Sequence, residues 1–127
     1  MKAATVGEPY WYVVKRERDL PPEQQTRFLC GYLTPSELAF VEDSVYGGIE
    51  TVHPGRKLLN ALHVGLLGVE NMEGCKLERD ETLSRLPGRK YPWTEASLQA
   101  IPKPERDELA YEIISRSYLN EADRKNS

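Results

Sequence analysis

The sequence predicts an α+β fold, mostly α, with three to four helices and a small antiparallel β element near the N-terminus. Three observations lead there: a β-branched and aromatic run at Tyr10 to Val14, a proline-opened capping signal at Thr34 to Glu37, and helical apolar spacing at Arg56 to Val69 and again at Glu105 to Ser117. At 127 residues the chain suits one domain, 1–127, because a chain of this size buries roughly two thirds of its unfolded surface around one core.

Tyr10 to Val14 has strand character and runs into the charged stretch Lys15 to Asp19 and Pro21-Pro22, which reads as a polar connection. Thr26 to Leu33 holds Phe28, Leu29, Tyr32 and Leu33 without helical spacing, so it reads as a second strand. It closes on Thr34-Pro35-Ser36-Glu37, a capping box with proline at the first helical position. In the helix that follows, Leu38, Val41 and Val45 repeat at three and four residues, and Gly47-Gly48 supplies the stop. His53-Pro54-Gly55 reads as a turn. From Arg56 to Val69, the residues Leu58, Leu59, Leu62, Leu66 and Val69 predict a central core helix, with Gly65 and Gly68 marking a tight neighbour or a helix end.

Met72 to Pro92 mixes Gly74, Pro87, Gly88 and Pro92 with Leu77, Leu83 and Leu86, and reads as a long loop with at most one short strand. Thr94 is placed to cap a short helix through Ile101, and Pro104 to open the next. In that helix, Leu109, Ala110, Ile113, Ile114 and Ser117 share one face, with Arg106, Asp107, Glu108, Glu112 and Arg116 around the rest. The tail 120–127 is polar and charged, and either frays or awaits a partner.

Charge and composition exclude several function classes. The 20 acidic and 17 basic residues are scattered, for a net charge of -3, and no basic stripe points to a nucleic-acid backbone. No run of about 20 apolar residues spans a bilayer, and Met1 to Glu8 has no apolar signal core, so a cytoplasmic location is expected. Cys30 and Cys75 are expected to be reduced thiols, with Cys30 an inert core residue.

No chemistry-bearing constellation emerges, and neither a cofactor nor a metal is expected. His53 and His63 stand in no metal-ligand spacing; His63 reads as a hydrogen-bonded packing histidine and His53 as a turn residue. The serines lie in capping or polar contexts without a nucleophile elbow. The carboxylates Glu42, Asp43, Glu78, Asp80 and Glu81 read as solvated faces. Gly65-Leu66-Leu67-Gly68 closes a helix where a phosphate cradle would open one. An enzyme would need residues scattered in sequence, such as Glu70, Asp80 and His63. Trp11, between Tyr10 and Tyr12, and Trp93, after Tyr91-Pro92, offer amphipathic rings suited to core or interface. The candidate protein-binding residues are therefore Trp11 and Trp93, with Leu109, Ile113, Tyr118 and Leu119 of the terminal helix.

Several segments together resemble a known family. Leu33-Thr34 with Glu37 and Glu42-Asp43, followed by Gly65-Leu66-Leu67-Gly68-Val69-Glu70-Asn71, resembles the layout of small tailed-bacteriophage proteins of the tail assembly chaperone type. The proline-bounded Ile101-Pro102 with Glu108-Leu109-Ala110-Tyr111-Glu112-Ile113, and the closing Leu119-Asn120-Glu121-Ala122-Asp123 and Lys125-Asn126-Ser127, are similar to the end of those proteins. The resemblance spans roughly residues 26–127 and leaves the first strand unmatched. It implies a non-enzymatic assembly factor of the bacterial host cytoplasm that binds the tape measure protein and recruits tail tube subunits, with no catalytic residue. The competing expectations are a structural virion component, such as a connector or tail-completion protein, and a phage-encoded modulator of a host defence protein. Self-association into a homo-oligomer is left open.

Overall fold

Tyr10–Tyr12 (β1) and Arg27–Cys30 (β2) pair antiparallel, Trp11 opposite Leu29 and Tyr12 opposite Phe28. The fold is that of a computed structural model, and the described residues are 7–46, 54–83 and 90–126. The polar connection between the two strands contains two single 3-10 turns, Lys15–Glu17 and Pro22–Gln24. After β2 come helices Pro35–Tyr46 (α1) and Pro54–Gly65 (α2), strand Leu66–Glu70 (β3), a short helix Glu95–Ala100 (α3) and the long helix Lys103–Asn126 (α4). β3 pairs antiparallel with β2, giving a three-stranded sheet in the order β1-β2-β3. Among the described residues the fold is thus α+β and mostly α, with four helices and a small antiparallel sheet. No helix among them is long and apolar enough to cross a membrane.

The start signals form as the sequence spells them. At α1 the Thr34 hydroxyl accepts from the Glu37 N–H at 3.2 Å, and the Glu37 carboxylate accepts from the Thr34 N–H at 3.0 Å, a reciprocal capping box with Pro35 at the first helical position. At α3 the Thr94 hydroxyl accepts from the Ser97 N–H at 3.2 Å. Gly47-Gly48, His53, Leu86, Pro87, Gly88 and Ser127, all read above as stops, turns, loop or tail, lie outside the described residues.

The central helix is shorter than its apolar spacing predicts. α2 ends at Gly65, and Leu66 to Glu70 continue as strand β3. The physical reason is visible in the register: Leu29 pairs with Gly68 and Cys30 with Leu66, so Leu67 is an extra residue, a β-bulge. The bulge brings Leu66 and Val69, three apart, to the same inward face of the sheet, which is the spacing a helix would also give. Gly65 is the helix end and the tight contact that its glycine suggests. A Cβ built there lies 2.4 Å from Cγ2 of Ile113 and 3.2 Å from Cδ2 of Leu33, whereas one built at Gly68 meets nothing within 4 Å.

The end of α2 is capped in full from elsewhere in the chain. A helix leaves its last four carbonyls without intrahelical partners, and here each finds a donor. Leu62 O accepts from the Trp93 indole at 3.1 Å, and His63 O from Arg79 at 2.9 Å. Val64 O accepts from the Lys90 ammonium at 3.3 Å, and Gly65 O from the Gly31 N–H at 2.8 Å. Arg79 also donates to Tyr91 O at 2.5 Å and Leu66 O at 3.2 Å, while its guanidinium stacks 3.8 Å above the Trp93 ring. Part of the loop between β3 and α3 is therefore a structured cap: Arg79 bridges to Trp93 as an isolated β-bridge, and Asp80 N donates to Pro92 O at 2.8 Å.

One core joins the sheet's inner face to the helices. Leu33, Val41, Leu62, Leu66, Ile101, Leu109 and Ile113 are fully buried within it. Ser117, also buried, settles a polar debt inside this core: its hydroxyl accepts from the Leu33 N–H at 3.0 Å and donates to Ile113 O at 2.6 Å. β1 is tied to α4 by the Tyr12 hydroxyl, which donates to Glu108 at 2.5 Å, and by Arg116, stacked 4.3 Å from the Tyr10 ring. The polar segment from Asn120 continues as the last turns of α4, to Asn126.

Candidate protein-binding surface

α4 turns its apolar residues to two sides. At about 100° per residue, Leu109, Ala110, Ile113, Ile114 and Ser117 point inward and are buried. Tyr111, Tyr118 and Leu119 point outward, and Ser115 lies exposed between them. Tyr111 is 61% exposed, Tyr118 44% and Leu119 66%. These large side chains on the solvent side of the helix lie outside the core. Tyr118 is held in place by donating its hydroxyl to the Glu42 carboxylate of α1, which also pairs with Lys57 of α2 at 3.3 Å. The Tyr118 hydrogen bond, aided by Lys57, keeps the Glu42 carboxyl below its ordinary range.

The candidate binding residues divide by burial. Tyr118 and Leu119 lie on the outer stripe. Trp11 is 43% exposed on the outer face of the sheet, where the Arg27 guanidinium covers it at 4.7 Å and pairs with Glu70. The other three are corrected by their surroundings. Leu109 and Ile113 are wholly buried at the centre of the core, so neither meets a partner on the surface of this fold. Trp93 is buried too, gives its indole to the end of α2 and reaches the surface only where it lines the groove described next. Tyr111 was missing from that set, although its position seven residues before Tyr118 places both on one helix face.

A groove of about 560 Å³ opens between α2 and α3. Leu59, His63, Leu83, Trp93, Leu98 and Arg106 line it, with Glu95 the acidic residue on its wall. Leu59 and Leu83 are exposed there. His63 Nδ1 accepts from the Trp93 N–H at 2.9 Å, as expected of a packing histidine, so the neutral ring carries its proton on Nε2. Burial first, then the Arg79 guanidinium, push the His63 pKa from 6.5 down to about 4. Between these values the unfolded chain takes up a proton that the folded chain does not, so stability is expected to fall as the pH drops from 6.5 toward 4. Urea midpoints measured across this interval should decline in the parent and decline less in His63→Gln.

Several of the groups considered for catalysis have structural partners. Glu70 pairs with Arg27, Asp80 accepts from the Thr82 N–H at 3.0 Å, and Glu42 is bound as above. The Cys30 thiol is buried and its pKa is pushed up to about 12, chiefly by that burial; Cys75 is partly exposed, and both are unpaired thiols. Among the described residues no cluster of three or more His, Cys, Asp or Glu side chains is placed to hold a metal ion. Compared with known protein families, curated proteins and solved structures, the chain matches none.

Proposed function

We propose that this protein is a non-enzymatic protein-binding factor that presents the outer stripe of α4 to its partner. The observation that carries the reading is the exposure of Tyr111, Tyr118 and Leu119 on a helix whose opposite face already fills the core. Aromatic side chains with few rotatable bonds supply contact area at low entropic cost, which is why they anchor interfaces. In its specific form the proposal is an assembly factor of the tail assembly chaperone type. It engages the tape measure protein and tail tube subunits of a tailed phage in the bacterial host cytoplasm. That form is supported by the sequence segments quoted above.

The test is affinity capture of the tagged protein from infected and uninfected bacteria, with Tyr111→Ser and Leu119→Ser alongside the parent. These exposed substitutions are expected to change stability by no more than about 0.5 kcal/mol. Capture of a long coiled-coil tape measure protein on infection, lost in both variants, is the expected result. The protein's presence in purified particles would favour a structural virion component. Capture of a host defence protein without infection would replace the assembly reading with that of a modulator.

A further inference from the structure

Building on the protein-binding reading, we propose that the groove between α2 and α3 receives an extended segment of the partner in which an aliphatic side chain stands beside a carboxylate. The apolar half of the argument is Leu59 and Leu83. They are 41% and 51% exposed, respectively, and both border a groove that Trp93 and Leu98 also line. Two leucines exposed on the walls of one concavity favour an aliphatic occupant, whose burial removes apolar surface from water on both sides.

The polar half is a pair of donors. Arg106 gives one guanidinium nitrogen to Leu98 O at 3.0 Å, which pins the group at the groove, and no carboxylate among the described residues pairs with it. A guanidinium so held retains N–H groups suited to a carboxylate. The His63 ring, its Nδ1 already occupied by Trp93 N, offers only the Nε2 proton and so favours an acceptor as well. Arg79, stacked on the Trp93 ring, donates to the carbonyl oxygens of His63, Tyr91 and Leu66 and pairs with no carboxylate among the described residues, so its charge adds to that of Arg106. Glu95, on the same wall, disfavours a carboxylate beside it and so gives the bound segment a direction.

The experiment is amide NMR shift mapping of the whole chain with the capped peptide acetyl-Gly-Leu-Asp-Leu-Gly-amide and its Asn and Lys counterparts. Saturable shifts at His63, Trp93, Leu98 and Gln99 are expected with the Asp peptide, and weaker ones with Asn. Leu59→Glu is expected to weaken binding about tenfold. Arg106→Gln should abolish the preference for Asp over Asn, read at the His63 and Trp93 amides because loss of the bond to Leu98 O shifts the amides beside it in the free variant. No shift at these amides at millimolar peptide, or equal shifts with the Lys peptide, overturns the proposal, including the case in which the chain itself fills the groove. The two readings fail separately. Capture that depends on Tyr111 but persists in Leu59→Glu, with no peptide binding, removes the groove and keeps α4. Peptide binding without Tyr111-dependent capture does the reverse.

Discussion

Gly65→Ala is expected to destabilise the fold by about 3 kcal/mol, at the upper end of the usual cost of inserting a methyl group into a packed core. The new Cβ would lie 2.4 Å from Cγ2 of Ile113, and a second contact waits at Cδ2 of Leu33, 3.2 Å away. Neither neighbour has room to retreat, because Ile113 and Leu33 are both essentially inaccessible to solvent. The helix backbone is equally constrained, since Gly65 O is bonded to Gly31 N of the strand-to-helix connection. Gly68→Ala is the matched control. Its Cβ meets nothing within 4 Å, and the change should stay within about 0.5 kcal/mol. Urea denaturation reads both as shifts in midpoint at constant slope. The steric origin is checked by repeating Gly65→Ala in an Ile113→Ala background, where most of the penalty should vanish. A Gly65→Ala protein as stable as the parent would mean that α2 and α4 are not in the contact described.

Arg79→Met should cost a comparable amount, again about 3 kcal/mol, through lost hydrogen bonds. Its guanidinium serves His63 O, Tyr91 O and Leu66 O at once and lies on the Trp93 ring. Methionine fills a similar volume but leaves carbonyls in a half-buried setting without donors, at about 1–3 kcal/mol for each that water does not reach. Arg79→Lys should recover only part of the loss, because an ammonium cannot span three acceptors in one plane and stack as well. A second readout separates this cap from general packing. Arg79 helps to depress the His63 pKa, so in Arg79→Met that pKa should rise toward its ordinary value, as followed by imidazole proton shifts against pH. An unchanged His63 titration would show that the guanidinium does not sit where the cap requires.

Elements governed by neighbouring residues were legible in the sequence. The Thr34 and Thr94 caps act over three residues, and the inward face of α4 repeats within a turn, so local spacing suffices to find them. β3 was not legible, because the bulge at Leu67 gives Leu66 and Val69 a helical interval inside a strand. The role of Trp93 was equally hidden: its hydrogen-bond acceptor, Leu62 O, is 31 residues away, and a tryptophan between turn residues reads the same whether it caps a helix or meets a partner. On the candidate surface, Tyr118 and Leu119 could be picked out as apolar residues beyond the inward stripe. The groove could not, since Leu59, Leu83 and Arg106 come together only through tertiary structure.

The bonds from α4 back to the start of the fold also constrain how the chain is made. Tyr12 meets Glu108 across 96 positions, and Leu33 meets Ser117 across 84. Contacts so distant in sequence form only after a large entropy of loop closure has been met. While residues 103–126 are still inside the ribosome, Leu33 N lacks its Ser117 acceptor, the Tyr12 hydroxyl lacks Glu108, and Gly65 lacks its Ile113 neighbour. The bonds that tie α4 to Tyr12 and to Leu33 can therefore close only once residues 103–126 have cleared the exit tunnel.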